Sequence, residues 1–281
     1  MCVAVLAAVA VPGGWAQGIV AGSATDAKAG EGLLPDARFD VATIKPSSPD
    51  VRGSSAGSQP NGTFFSKGNP LKDVICSAYG VLTLQCVGGP GWIESDRYDI
   101  EAKPDGSTAE QMLKLSWKQR GAVEDRMKQA LLADRLKLKA HFETREMPIF
   151  ALVVAKGGLK MHEAKPGDTY ASGLKRSDGK PFGAGVFSIS GNGTVTAQGM
   201  SLDTLALNLP GMTGHLVENR TGLTGLYDFT FRYSVADPPP PDSNLPSLYT
   251  ALEEQLGLKL EPEKGPVKVL VIDHVERPTE N

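Results

Sequence analysis

Asn61-Gly62-Thr63-Phe64-Phe65-Ser66-Lys67-Gly68-Asn69-Pro70-Leu71 is written a second time, loosely, as Asn192-Gly193-Thr194-Val195-Thr196-Ala197-Gln198-Gly199-Met200-Ser201-Leu202. The Asn-Gly-Thr triplet, the glycine and the final leucine fall at the same spacing in both stretches. Further along the register slips, and Tyr98-Asp99-Ile100 falls on Tyr227-Asp228-Phe229. It slips again before Leu136-Lys137-Leu138-Lys139 falls on Leu256-Gly257-Leu258-Lys259, and Ile149-Phe150 on Val269-Leu270. Slips confined to the segments between matching blocks are what loop insertions do to two copies of one folded unit. The expected architecture is therefore an internally duplicated α+β fold, each half a small, mainly antiparallel sheet with helices on one face.

The first copy reads strand, helix, strand, strand. Thr63 to Lys67 alternates as a strand, and Asn69-Pro70 supplies an N-cap with proline at the first position of a helix through Leu71, Val74, Ile75 and Ala78. Leu82 to Val87 reads as a strand, Gly88-Gly89-Pro90-Gly91 as a turn, and Arg97 to Ala102 as another strand. Ser107 and Glu110 form a capping box for a helical stretch interrupted at Gly121, after which Val123, Met127, Ala130 and Leu131 share an apolar face, with Asp134 at the same spacing. Leu136 to Phe142 and Pro148 to Ala155 read as a hairpin joined by the charged Glu143 to Glu146. In the second copy Ser201 caps a helix through Leu202, Leu205 and Leu209. Leu216 to Glu218 and Leu226 to Tyr233 follow as strands. Pro246 opens a helix with Leu248, Leu252 and Leu256 on one stripe. Leu258 to Leu260 with Val267 to Val275 reads as a closing hairpin.

Outward from the repeats, Phe39 to Pro46 reads as a strand stopped by its proline, and residues 47–60, dense in Ser, Gly and Pro, as an exposed loop. Val3 to Val11 is an apolar run of signal-peptide length followed by Trp15-Ala16-Gln17, although no Lys or Arg precedes it. The expected organisation is a signal peptide over 1–16, a flexible leader over 17–36, a first repeat over 37–164, a connecting loop over 165–185 and a second repeat over 186–281. No other stretch approaches a membrane span. An exported, periplasmic or extracellular protein is the expectation.

Removal of the leader takes Cys2 and leaves Cys76 and Cys86. Two thiols in an oxidising compartment can pair, or stay as half-buried free thiols; with one on a helix and the other on the next strand, side-chain direction decides. Charged residues make up 22% of the chain and the net charge is −3, without a long basic run, so nucleic acid has no electrostatic support as a partner.

Several blocks together resemble the acidobacterial soil-associated secreted proteins, a family of unknown function. They are Phe39-Asp40-Val41-Ala42-Thr43-Ile44-Lys45-Pro46, Gly88-Gly89-Pro90-Gly91-Trp92-Ile93 with Asp96-Arg97-Tyr98-Asp99-Ile100, Leu131-Leu132-Ala133-Asp134-Arg135, and Ala151 to Gly158. Thr221-Gly222-Leu223-Thr224-Gly225 with Tyr227-Asp228-Phe229, and Val271 to Asn281, continue the likeness. In some relatives a similar domain is joined to a membrane metallopeptidase of the β-lactam-sensor type, which implies an extracytoplasmic sensing or interaction role there. The resemblance brings no catalytic residues.

Candidate chemistry is thin. Ser172-Gly173-Leu174-Lys175 fits the Ser-x-x-Lys pattern of acyl-serine enzymes, but it lies in a glycine-rich loop without a Lys-Thr-Gly partner. His141 with Glu143, and His274 with Glu276, project to one face of their strands, without the spacing of a zinc helix. Asp99 and Asp228 occupy matching positions in the two copies, as a structural requirement copied with the fold would; with Asp96 and Asp134 they are otherwise the candidate acid/base carboxylates. Trp92, raised on a glycine-proline turn, and Arg97 are the binding candidates, with packing between helix and sheet as the other reading of Trp92. No catalytic residue, metal ligand or cofactor is assigned. The expected function is a secreted or periplasmic non-enzymatic module for an envelope protein, peptide or glycan. A hydrolase with a site between the two repeats is the alternative.

Overall fold

The structure is a computed structural model that describes residues 32–165, 167–175 and 178–279. The expected signal peptide and residues 17–31 of the expected leader lie outside the described residues. Two compact units divide the chain. Among the described residues the inner unit is Glu146–Gly265, and the flanking unit joins those up to Arg145 to those from Pro266 onward.

The flanking unit holds β1 (Phe39–Pro46), β2 (Ser55–Ser58), β3 (Phe64–Pro70), α1 (Leu71–Ala78), β4 (Cys86–Gly88), α2 (Trp92–Ser95), β5 (Arg97–Pro104), α3 (Gly106–Leu113) and α4 (Trp117–Arg135). It also holds the first part of β6 (Lys139–Val154). The inner unit follows with β7 (His162–Glu163), β8 (Val186–Ile189), β9 (Thr194–Ser201), α5 (Leu202–Asn208), α6 (Pro210–Thr213), β10 (Leu216–Asn219), β11 (Leu226–Arg232) and α7 (Leu248–Ala251), continued by a π turn over Leu252–Leu256. β12 (Leu258–His274) begins in the inner unit and ends in the flanking one.

The flanking unit has a four-stranded antiparallel sheet in the order β1-β5-β3-β2, and the inner unit one in the order β7-β11-β9-β8. In each, the Asn-Gly-Thr triplet makes the hairpin turn. Thr63 N donates to Asn61 Oδ1 at 3.1 Å, and Thr194 N to Asn192 Oδ1 at 3.2 Å. Gly62 (φ 84°) and Gly193 (φ 76°) supply the positive φ that such a turn requires. In each, the strand after the turn runs through an irregular pairing at a second positive-φ glycine straight into a helix. In each unit there is also a parallel pair: β4 with β12 in the flanking unit, β10 with β6 in the inner one. The fold is mixed α+β with mainly antiparallel sheets, as the pattern of the sequence implies.

The core of the flanking unit gathers Leu71, Val74, Ile75 and Ala78 from α1, Tyr98, Ile100 and Ala102 from β5, and Leu132 from α4. The inner core gathers Leu202, Leu205 and Leu209 after β9, Tyr227, Phe229 and Phe231 from β11, and Leu248, Leu252 and Leu256 from the last helix. Each such side chain buried in full contributes roughly 1.5–3 kcal/mol over leaving it in water, which is why alternation on β5 and β11 fixes which face turns inward. Val123 and Met127 are buried together, with Met112 and Ala37, in a smaller cluster.

Local expectations change at several points. The two hairpins at Leu136–Ala155 and Leu258–Val275 are instead single long strands, β6 and β12. Glu143 and Arg145 stand two apart on one face of β6 and pair there, so the charges are carried by an exposed strand and need no turn. Asn69 does not cap α1; its amide donates to Ser66 Oγ at 2.9 Å and Ser55 O at 2.9 Å, tying β3 to β2. Asp105, not Ser107, caps α3, accepting from Ser107 N at 2.8 Å and Thr108 N at 3.0 Å. The helical stretch breaks before Ser116, which caps α4 in a box with Gln119, and α4 runs through Gly121 because a lone glycine costs only about 1 kcal/mol there. Within the expected loop 47–60, Ser55–Ser58 pairs with β3 as β2. Leu82 to Val87 becomes a 3₁₀ turn over Thr83–Gln85 followed by the short β4.

Candidate binding surface

Strand alternation puts Val41, Thr43 and Lys45 of β1, Asp99, Glu101 and Lys103 of β5, and Phe65 and Lys67 of β3 on the face of the flanking sheet opposite its core. Register makes them neighbours. Val41 stands beside Lys103, Thr43 beside Glu101 and Lys45 beside Asp99, while Phe65 flanks Glu101 from the other side. Phe65 lies over Gly57 of β2, where a methyl group would meet its ring at 3.0 Å, so the missing side chain makes the aromatic platform possible. The face is open to water: Val41 is 59% exposed, and Lys45, Lys67, Glu101 and Lys103 are exposed.

Its cations outnumber its carboxylates. Glu101 pairs with Lys103 at 2.8 Å, and the hydrogen bond and charge of Lys103, then the charges of Lys67 and Lys45, hold its carboxyl below the usual carboxylate range. Asp99 is already committed, accepting from Ser47 Oγ at 2.6 Å and Gly68 N at 3.0 Å. Lys45, Lys67 and Lys103 thus stand among two carboxylates, Glu101 paired with Lys103 and Asp99 bound by Ser47 and Gly68, on an amphipathic sheet surface. The alternation of each strand was legible in the sequence, but the surface combines three strands whose pairing only the tertiary structure supplies.

Trp92 starts α2 half-buried, packed against the core, with its ring 6.3 Å edge-on from Tyr98 and the Arg277 guanidinium 4.7 Å over its face. Arg277 also reaches Asp96 Oδ2 at 2.6 Å. The arrangement fastens the C-terminal segment to α2 and β5. Arg97 donates to Gly68 O at 3.2 Å and Gly53 O at 3.4 Å, and so holds the 47–54 loop against β3. The two binding candidates are not brought together on the open face. Cys76 and Cys86 are joined by a disulfide, Cα to Cα 6.1 Å, between α1 and β4 inside the core.

Ser172 and Lys175 are both exposed, and Lys175 bridges to Pro181 instead. His141 Nδ1 lies 2.8 Å from Asp273 Oδ2, with Glu143 at 3.8 Å from its other nitrogen, on exposed strand ends. His274 pairs with Glu276 at 3.0 Å. Asp134 is exposed beside Arg135 at 3.9 Å. A hollow of about 460 Å3 in the inner unit is lined by Lys160, Tyr249, Glu253 and Lys259. There Lys160 Nζ donates to Glu254 O at 2.8 Å, the work of a helix C-cap, and Lys259 is held by Glu261 at 2.9 Å.

Residues 72–275, from α1 to the end of β12, match the family described as Protein of unknown function (DUF3738). The chain belongs to that family. No curated protein and no solved structure matches it. The DUF3738 match takes in β5 and begins just after β3, so Glu101 and Lys103 lie within it and Lys45, Phe65 and Lys67 precede it.

Proposed function

We propose that this protein is an exported, non-enzymatic binding module that takes a ligand of the cell envelope on the outer face of its β1-β5-β3-β2 sheet. The observation that carries this reading is that face itself: Val41, 59% exposed, and the half-buried Phe65 ring, set among lysines on a sheet whose other side is the core. Apolar side chains left in water on a flat, charged-rimmed surface are the usual mark of an interaction site.

Export is supported by the apolar run Val3 to Val11 and by the disulfide, which persists in oxidising compartments. The likeness to acidobacterial secreted proteins, some joined to membrane metallopeptidases, supports the same location. Descent of the two units from one ancestral segment is supported by their matching strand order and matching Asn-Gly-Thr turns.

Crosslinking and pull-down from the native envelope fraction test the function. Wild-type protein should retain a saturable ligand that a Val41→Asp, Phe65→Ser variant of unchanged melting temperature loses. Equal retention by both would remove the surface from the account, and a protein found only in the cytoplasmic fraction would remove export.

A further inference from the structure

The outer faces of the two sheets differ in what covers them. Lys67 of β3 and Gln198 of β9 stand at matching positions, each one residue before a positive-φ glycine whose N–H is bound by an aspartate, Asp99 for Gly68 and Asp228 for Gly199. Gln198 is only 3% exposed, because the inner unit lays its own chain across it. Leu174 N donates to Gln198 Oε1, and Gln198 Nε2 donates to Phe182 O at 3.5 Å. The covering segment is a loop of turns and bends, drawn together by Phe182 N donating to Leu174 O at 2.8 Å and by the Lys175–Pro181 bridge. Tyr170 anchors it, its hydroxyl donating to Asp228 Oδ1 at 3.0 Å.

In the flanking unit Ser47 takes the place of Tyr170, donating to the aspartate, and Gly53 O closes on Gly68. Lys67 remains exposed all the same. Charge differs too. Where the inner sheet carries Thr196 and Thr230, joined at 3.3 Å, the flanking sheet carries Phe65 and Glu101, with Lys45, Lys67 and Lys103 around them. The inner sheet carries Arg232 where the flanking sheet has Lys103, His162 where it has Lys45 and Gln198 where it has Lys67, so the fold does not require three lysines there.

We infer that the open face of the flanking sheet binds an acidic peptide segment, seated as the inner unit seats its own residues around Leu174 and Phe182. A peptide is the occupant because the matching surface already holds a segment of chain hydrogen-bonded to Gln198, and an acidic one because Lys45, Lys67 and Lys103 meet it. This rests on the binding-module reading and specifies its ligand.

Full-length protein titrated against a fluorescein-labelled peptide of alternating Glu and Val should show saturable anisotropy that falls with salt, and a Gln/Val peptide should bind more weakly. The triple variant Lys45→Gln, Lys67→Gln, Lys103→Gln should bind the acidic peptide about tenfold more weakly, as the loss of three exposed charge pairs implies. Its melting curve should stay that of wild type. Unchanged affinity in the triple variant, or binding of dextran sulfate at this face without binding of the peptide, overturns the inference. If envelope material is still captured through Val41 and Phe65 while the acidic peptide fails, the inference falls and the binding module stands; if neither binds, both fall.

Discussion

Asp99 accepts the backbone N–H of Gly68 at 3.0 Å, and through it β5 fixes the irregular point of β3 from which α1 departs. Asp228 does the same for Gly199 in the inner unit at 2.6 Å. Gly68 (φ 65°) and Gly199 (φ 55°) are needed because a side chain there is strained; a methyl on Gly68 would also sit 2.6 Å from Gly53 O. Asp99→Ala should cost roughly 1–3 kcal/mol, the penalty of a buried donor left unpaired, and Asp228→Ala a similar amount. Urea denaturation measures both, and a loss well below this range for either would show that water replaces the carboxylate at no cost.

The disulfide between Cys76 and Cys86 closes a short loop, with a sequence separation of 10. In the chain-entropy account such a link stabilises by about 3 kcal/mol. Dithiothreitol, or Cys76→Ser with Cys86→Ser, should lower the melting temperature, and mass spectrometry after alkylation should show the two thiols blocked unless reductant is added. Free thiols in the native protein would contradict this.

Lys128 of α4 is buried, with Asp125 at 2.8 Å, Glu124 at 3.5 Å and the Phe64 ring 5.4 Å below its ammonium. Burial works against its charge, but the two carboxylates prevail and hold its pKa above the ordinary lysine value. Lys128→Met strands buried Glu124 and should destabilise by about 3 kcal/mol, whereas adding Glu124→Gln, itself the second single variant, should restore much of it. A chemical-denaturation cycle over the four proteins reads the difference, and additivity would mean that the pair is uncoupled.

His141 is raised above the ordinary imidazole pKa chiefly by its hydrogen bond to Asp273, and then by the charges of Asp273 and Glu143. Because the folded value is the higher one, the pair's stabilisation is complete below the unfolded value of about 6.5 and is lost as pH rises through the folded value. The imidazole resonances should titrate late, and Asp273→Asn should bring the midpoint down. An unchanged midpoint in that variant would assign the shift elsewhere.

Trp92 is a packing residue in this structure, clasped between Tyr98 and Arg277. Trp92→Ala should lower stability by about 2 kcal/mol, less than full burial would give, and Arg277→Ala should loosen the C-terminal segment to proteolysis. Full ligand capture by a folded Trp92→Ala protein is expected; loss of capture at unchanged stability would return Trp92 to the binding surface.

Much of this fold was written in local pattern. The alternation of Tyr98, Ile100 and Ala102, and of Tyr227, Phe229 and Phe231, names two half-buried strands and their inward faces. The Asn-Gly-Thr turns and the matched aspartates announce that the two halves are built alike, and the helices follow from Ser201 as a cap and from the stripe of Leu248, Leu252 and Leu256, although Ser247 and not Pro246 caps the last one. These are short-range properties, set by sterics and by hydrogen bonds between residues a few places apart. What the chain could not declare locally is which distant strands pair. Glu143 to Glu146 looks like a turn by composition, and only the partners of β6 make it strand. Likewise Lys45, Lys67 and Lys103 are unremarkable surface charges until β1, β3 and β5 are laid side by side, because a field made by three lysines depends on distances in space and not along the chain.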